Sequence, residues 1–142
     1  MRIGLALLVV LCVAGSASAD SRVTNLVKFY KKEAAVCAKY EAGLAIAEER
    51  AQPYVDDKEI ADDLAVISGA HAIVRDHCGA IDATLQVLTA DPRATYKQLA
   101  AAIDQHDAIV RAGRQATRQA LEETNPVIQR LIPKINKRRA SS

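Results

Sequence analysis

The stretch Ile60–Leu88, IADDLAVISGAHAIVRDHCGAIDATLQVL, places a core-compatible residue at every third or fourth position. The positions of this seam are Ile60, Leu64, Ile67, His71, Val74, Cys78, Ile81, Leu85 and Leu88. Side chains at that spacing share one face of an α-helix, so the pattern predicts a helix packed lengthwise against other helices. Only His71 and Cys78 on this seam suggest chemistry.

The residues before this stretch predict a first helix from Ser21 or Arg22 to Gln52. Its seam reads Val23, Leu26, Tyr30, Glu33, Cys37, Tyr40, Leu44, Ala47 and Ala51. Pro53 is expected to end or kink the helix, because proline lacks an amide donor and clashes with the preceding turn.

The residues after it predict a third helix from Pro92 to about Thr124, with Asp91 as its N-cap and Pro92 at its first position. Its seam is Tyr96, Leu99, Ile103, His106, Val110, Gly113, Thr117 and Ala120. Asn125-Pro126 repeats the cap-plus-proline signal, so we expect a short fourth helix there, interrupted by Pro133.

Together these elements predict an all-α fold, an up-down antiparallel bundle of three long helices and a short C-terminal fourth. Each long helix has about 30 residues and would be about 45 Å long. Short connections make neighbouring helices antiparallel. The bundle domain is expected to span residues 20–139, with residues 140–142 as a frayed tail.

The N-terminus has the three parts of a secretory signal peptide. Arg2 gives a positive start, Ile3–Val13 is apolar, and Ala17-Ser18-Ala19 is a small-x-small cleavage sequence. The apolar run is too short to span a bilayer, and no second long apolar run follows. We therefore expect residues 1–19 to be removed and the protein to be periplasmic or secreted.

Cleavage would leave 18 basic and 17 acidic residues, a formal charge of +1, and two cysteines, Cys37 and Cys78. In an oxidising compartment such a pair is most simply a disulfide. A turn centred at Tyr54 would put Cys78 about 9 Å too far along the axis to bond, whereas a loop reaching Asp62 would place the cysteines opposite each other. We favour the bond and a late start of the second helix; an intermolecular bond or two free thiols are the alternatives.

A metal or haem site is a second interpretation of the polar seam residues. His71, His106 and Cys37 are expected near one layer of the bundle, and imidazole and thiolate suit zinc or copper. The sequence has no His-x-x-x-His, Cys-x-x-Cys or Glu-x-x-His motif to support it. We predict no cofactor, and we retain this set as the alternative.

Charge is uneven along the chain. The stretch 54–63 is acidic, as suits a helix N-terminus. The C-terminus carries a basic patch of Arg130, Lys134, Lys137, Arg138 and Arg139. We expect these at opposed ends of an elongated molecule, where the basic end either binds anionic lipid or an acidic partner, or is a solvated tail.

We find no catalytic motif in the sequence, and we expect that the protein is not an enzyme. One phenylalanine, four tyrosines and no tryptophan are a poor supply for stacking bases, so we expect no nucleic-acid partner. The functional prediction is an exported, non-catalytic helical module that binds another protein or a component of the cell envelope. The alternative is a small-ligand or metal (zinc, copper or haem) carrier that uses the histidine layer.

Overall fold

The computed structural model describes residues 19–141, which form three α-helices. These are α1 (Ser21–Ala51), α2 (Lys58–Thr89) and α3 (Tyr96–Ala140), and a 3-10 turn, Gln52–Tyr54, follows α1. No β-strand occurs within this described range. The predicted all-α bundle is therefore confirmed, while the predicted signal peptide lies almost wholly outside the described residues.

In each helix, buried residues spaced seven apart form a row that faces the axis of the bundle. The buried residues of these rows are Val23, Tyr30, Cys37, Leu44 and Ala51 in α1, Ile60, Ile67, Val74, Ile81 and Leu88 in α2, and Ile103, Val110, Thr117, Thr124 and Leu131 in α3. A helix that packs against two neighbouring helices must bury a wider stripe of its surface than one seam provides. In α2 the seam predicted from the sequence faces α1, and a second buried row that it missed, Asp63, Ala70, His77 and Thr84, faces α3.

The turn between α1 and α2 corrects the predicted late start of the second helix. α2 begins at Lys58, where Asp57 caps it by accepting hydrogen bonds from the amides of Glu59 and Ile60. The 3-10 turn carries the chain past Pro53 and moves the reversal beyond Tyr54. The expected pairing nevertheless holds: the Sγ atoms of Cys37 and Cys78 lie 2.11 Å apart and their Cα atoms 5.6 Å apart.

The start of α3 also differs from the prediction. Asp91 closes a turn by accepting from the amide of Arg93, and the helix begins at Tyr96 instead of Pro92. Thr95 and Gln98 form a capping box, in which each side chain satisfies a backbone amide of the other residue. That signal was present in the sequence and was missed because the Asp-Pro pair preceded it.

The predicted fourth helix is wrong, because α3 continues through Pro126 and Pro133 to Ala140. Both prolines are on the solvent side, seven residues apart, so the backbone carbonyls they leave without donors can be hydrated. On the inner side Val127, Leu131 and Ile135 continue the buried row. That burial outweighs the helix penalty of the prolines, about 3 kcal/mol each.

The acidic and basic segments lie at the same end of the molecule, which corrects the expected opposed ends. Asp63, buried on α2, accepts hydrogen bonds from the Arg130 guanidinium at 2.6 and 2.9 Å and from Lys134 Nζ at 3.1 Å. Arg138 binds Asp56 at 2.5 Å. Burial alone would raise the pKa of Asp63, but the bonds from Arg130 and Lys134 outweigh it and lower that pKa. These contacts clamp the end of α3 onto α2.

Candidate binding face between α1 and α3

α1 and α3 run parallel, and each packs on α2 along its length but contacts the other less. Contacts between them concentrate near their N-terminal halves. Asp20 Oδ2 accepts from the Tyr96 amide at 2.8 Å, and the Tyr30 hydroxyl donates to Asp107 at 3.2 Å. Beyond these contacts the two helices leave a surface groove.

The groove has two sections that share Ile128. The first, about 520 Å³, is lined by Tyr40, Arg114, Thr117, Arg118, Leu121, Glu122, Thr124, Asn125 and Ile128. The second, about 120 Å³, is lined by Gly43, Ile46, Ala47, Arg50, Ile128, Leu131, Ile132 and Ile135. Most of the surface area that lines the groove is apolar, and the polar side chains lie mainly in the first section.

Three rows of exposed residues run along α1 and α3 on the side of this groove and extend beyond its ends, each with the seven-residue spacing that keeps side chains on one face of a helix. We define the α1/α3 face as these rows: Lys32, Lys39 and Ile46; Phe29, Val36, Gly43 and Arg50; and Arg111, Arg118, Asn125, Ile132 and Arg139. Six of the twelve residues are basic, four are large and apolar, and none is acidic. The apolar four are 45–49 % exposed, so they project into solvent.

Charge separates between the helices that form this face and the one behind it. α1 has 6 basic and 4 acidic residues, a net +2, and α3 has 9 and 4, a net +5. α2 has 2 and 5, a net −3. The nearly neutral sum therefore hides a basic side formed by α1 and α3 and an acidic side formed by α2.

The acids nearest the α1/α3 contact are already engaged. Glu33 accepts from the Arg114 guanidinium at 2.9 and 3.1 Å, and Asp107 binds Arg111 on its own helix. Within residues 19–141, Lys39 and Arg118 form no ion pair. The free cationic groups of the face are thus available to an anionic partner.

A polar layer crosses the middle of the bundle below the groove. It contains the disulfide, His77 packed on Gly113, and the Glu33–Arg114 pair. His77 Nδ1 is buried without a hydrogen-bond partner, as is Thr117 Oγ1 in the groove lining. Burial, and secondarily the Arg114 charge, lower the pKa of His77, while Glu33 opposes them. His77 is therefore a neutral core imidazole.

The structure does not assemble the predicted ligand set His71, His106 and Cys37. His71 Nδ1 lies 2.6 Å from Glu48 on α1, whereas His106 Nδ1 lies 3.5 Å from Thr84 Oγ1 on the other side of α2. Cys37 is bonded to Cys78, so it offers no thiolate. Across residues 19–141 no cluster of three or more His, Cys, Asp or Glu side chains has an arrangement that would hold a metal ion.

The predicted basic patch divides into two parts. Arg130, Lys134 and Arg138 face the acids of α2 and its preceding loop and have a structural role. Lys137 and Arg139 are exposed, and Arg139 ends the third row of the α1/α3 face. The candidate face also contains cations with seven-residue spacing outside the predicted seams, at Lys32 and Lys39 and at Arg111 and Arg118, and this spacing was the signal in the sequence that could have located it.

Comparison with known proteins adds no family to this description. Protein-family models, curated proteins and solved structures all gave no match to the chain. None of the helices in the described range has the length and apolar character needed to cross a bilayer.

Proposed function

We propose that the protein is an exported, non-catalytic module that binds another macromolecule or the cell envelope through the α1/α3 face. Export is inferred from the sequence of residues 1–19, and the Cys37–Cys78 bond is compatible with an oxidising compartment. Binding is inferred from the surface, since large apolar side chains on this face remain nearly half exposed.

One observation carries the proposal: exposed apolar and basic residues are concentrated on the same face. Phe29, Val36, Ile46 and Ile132 are nearly half exposed although each is large and apolar. Contiguous apolar surface rimmed by polar residues marks interaction surfaces, whereas single exposed apolar residues are ordinary. The outer row of α2, which is Lys58, Ala65, Ala72, Gly79 and Gln86, has no large apolar side chain, although α2 exposes Val66 and Ile73 beside it.

The test is site-specific photo-crosslinking in the secreting cell. A photoreactive amino acid replaces Ile46 in one variant and Ile132 in another, and the matched control replaces Ala72 on the outer row of α2. We expect adducts with a discrete protein or with envelope lipid from the first two positions and none from the third. Equal adducts at all three positions, or none at any, would refute the proposed face.

A second candidate function, a small-ligand carrier, has one observation in its favour. Thr117 Oγ1 has no hydrogen-bond partner, although its residue helps line the groove of about 520 Å³. A buried hydroxyl of this kind can bind a polar group of a ligand or a water molecule. Native mass spectrometry of the exported protein, purified without chelators, would reveal a bound small molecule or metal as added mass; a bare chain would remove this candidate.

A further inference from the structure

We propose that the α1/α3 face rests on an anionic lipid surface. The proposal rests on the proposed function and names its partner by chemistry: a bilayer whose headgroups carry negative charge. It requires a peripheral contact, with the axes of α1 and α3 lying along the membrane plane.

The shape of the face favours a broad surface as partner. Phe29, Val36 and Arg50 lie on one row of α1, and 21 residues separate the first from the last, or about 30 Å along the axis. α3 runs parallel beside α1, so the two rows on α1 and the row on α3 form one extended face. Aromatic and aliphatic side chains that project from such a face can enter the headgroup region without displacing the core.

The arrangement of the charges favours lipid. Lys32 and Lys39 precede Ile46 on one row, and Arg111 and Arg118 precede Ile132 on another. Long basic side chains place their alkyl stems beside apolar groups while their charged ends reach phosphates. The cations are spread along the helices instead of meeting at one point, and mobile headgroups can match such a distribution without a fixed register.

Acidic residues around the face are few. Glu33 and Asp107 are engaged with Arg114 and Arg111. Asp104 lies beyond the Arg111 end of the third row, and Glu122 lines the groove. Arg111 is neutralised by Asp107, and the other five cations of the face still outnumber Asp104 and Glu122. The face therefore attracts an anionic surface while the acidic α2 side is repelled.

The experiment is cosedimentation of the exported, disulfide-bonded protein with vesicles. Vesicles of phosphatidylglycerol and phosphatidylethanolamine supply the anionic surface, and vesicles of phosphatidylcholine supply the neutral one. We expect binding to the first only, weakened strongly between about 0.05 and about 0.5 M salt because the screening length shortens. Binding to both compositions alike, or to neither, would overturn the proposal.

Paired charge reversals locate the contact. Lys32→Glu/Lys39→Glu changes the face, and Lys58→Glu/Arg75→Glu makes the same change in net charge at exposed positions of α2. A basic residue near an anionic surface contributes about fivefold in binding, so the first pair should weaken binding at least about 25-fold. The control should retain most of it, and equal losses would refute the assignment. Far-ultraviolet circular dichroism verifies that both variants remain folded.

The vesicle and crosslinking results together distinguish failure of the lipid contact from failure of the proposed function. Protein adducts at Ile46 together with no vesicle binding would leave the proposed function standing and remove lipid as the partner. Neither adducts nor vesicle binding would remove both. Binding to anionic vesicles that is insensitive to Ile46→Ser would show that charge acts alone and would contradict the apolar part of the contact.

Discussion

Gly113 is the position where a single methyl group should be most informative. A Cβ at this residue would lie 2.7 Å from His77 Nδ1 and 3.3 Å from His77 Cγ, well inside van der Waals contact. His77 is buried and cannot move its ring into solvent without opening the α2/α3 contact. Gly69, in the interior of α2, would meet nothing within 4 Å and provides the matched control.

The magnitudes follow from two opposing effects. Replacing a helical glycine by alanine stabilises by about 1 kcal/mol where there is space. Overpacking a core costs about 1–3 kcal/mol. We therefore expect Gly69→Ala to raise the free energy of unfolding by about 1 kcal/mol, and Gly113→Ala to leave it unchanged or lower it by up to about 2 kcal/mol.

Urea unfolding followed by far-ultraviolet circular dichroism measures both variants. A double-mutant cycle with His77→Ala identifies the cause, because removing the imidazole should turn Gly113→Ala into a stabilising change. The expected coupling is about 1–3 kcal/mol. If Gly113→Ala stabilises the wild-type background as much as Gly69→Ala does, the close approach of α2 and α3 at His77 is wrong.

Three further predictions concern the energetics of the bundle. The interhelical disulfide joins residues 41 apart, so its reduction should lower the free energy of unfolding by about 4 kcal/mol, measured by urea denaturation with and without reductant; a loss under about 1 kcal/mol would contradict this. Arg130→Met/Lys134→Met strands a buried carboxylate and should cost on the order of 3 kcal/mol at neutral pH. Acidification to about pH 4 should relieve that variant, because burial without these partners raises the pKa of Asp63. The wild type should keep most of the contribution of Asp63 at that pH and lose it as pH falls below about 4, because the pKa of Asp63 is lowered in its fold; parallel pH profiles would refute the network. His77 has a lowered pKa, so its contribution to stability should decline as pH falls below about 6.5, and His77→Gln should flatten the wild-type profile between about pH 7 and 5; an unchanged slope would show that the imidazole is not desolvated.

The three helices could be predicted from the sequence, because the spacing of apolar residues along a helix is a local property. The seam from Ile60 to Leu88 did become one helix. The Cys37–Cys78 bond was expected from the even number of cysteines in an oxidising compartment, although the late start of the second helix that accompanied this prediction was wrong. The ends of the helices were harder to predict. Asn125-Pro126 resembles a helix start, yet Val127 and Leu131 continue a buried row, and tertiary packing outweighs the local signal.

The candidate face was hidden from the sequence for a different reason. Lys32, Lys39 and Arg118 each look like ordinary solvated charges, and only the parallel packing of α1 and α3 brings their rows together. The basic C-terminus gave the opposite error, because residues that looked free have structural partners. Arg130 and Lys134 read as a free patch, but their long-range partner Asp63 lies 67 residues from Arg130 in the chain.

Hydroxyl-radical footprinting tests the central claim, binding through the α1/α3 face, without any substitution. The disulfide-bonded protein is oxidised alone and after mixing with a cell-envelope fraction. Phe29 and Tyr40, each 45 % exposed, report the face and its groove, while Val66 and Ile73, 43 % and 40 % exposed, report α2. We predict that oxidation of Phe29 and Tyr40 falls severalfold in the mixture while that of Val66 and Ile73 is unchanged. Unchanged oxidation at all four residues, or protection of the α2 pair alone, would contradict the account.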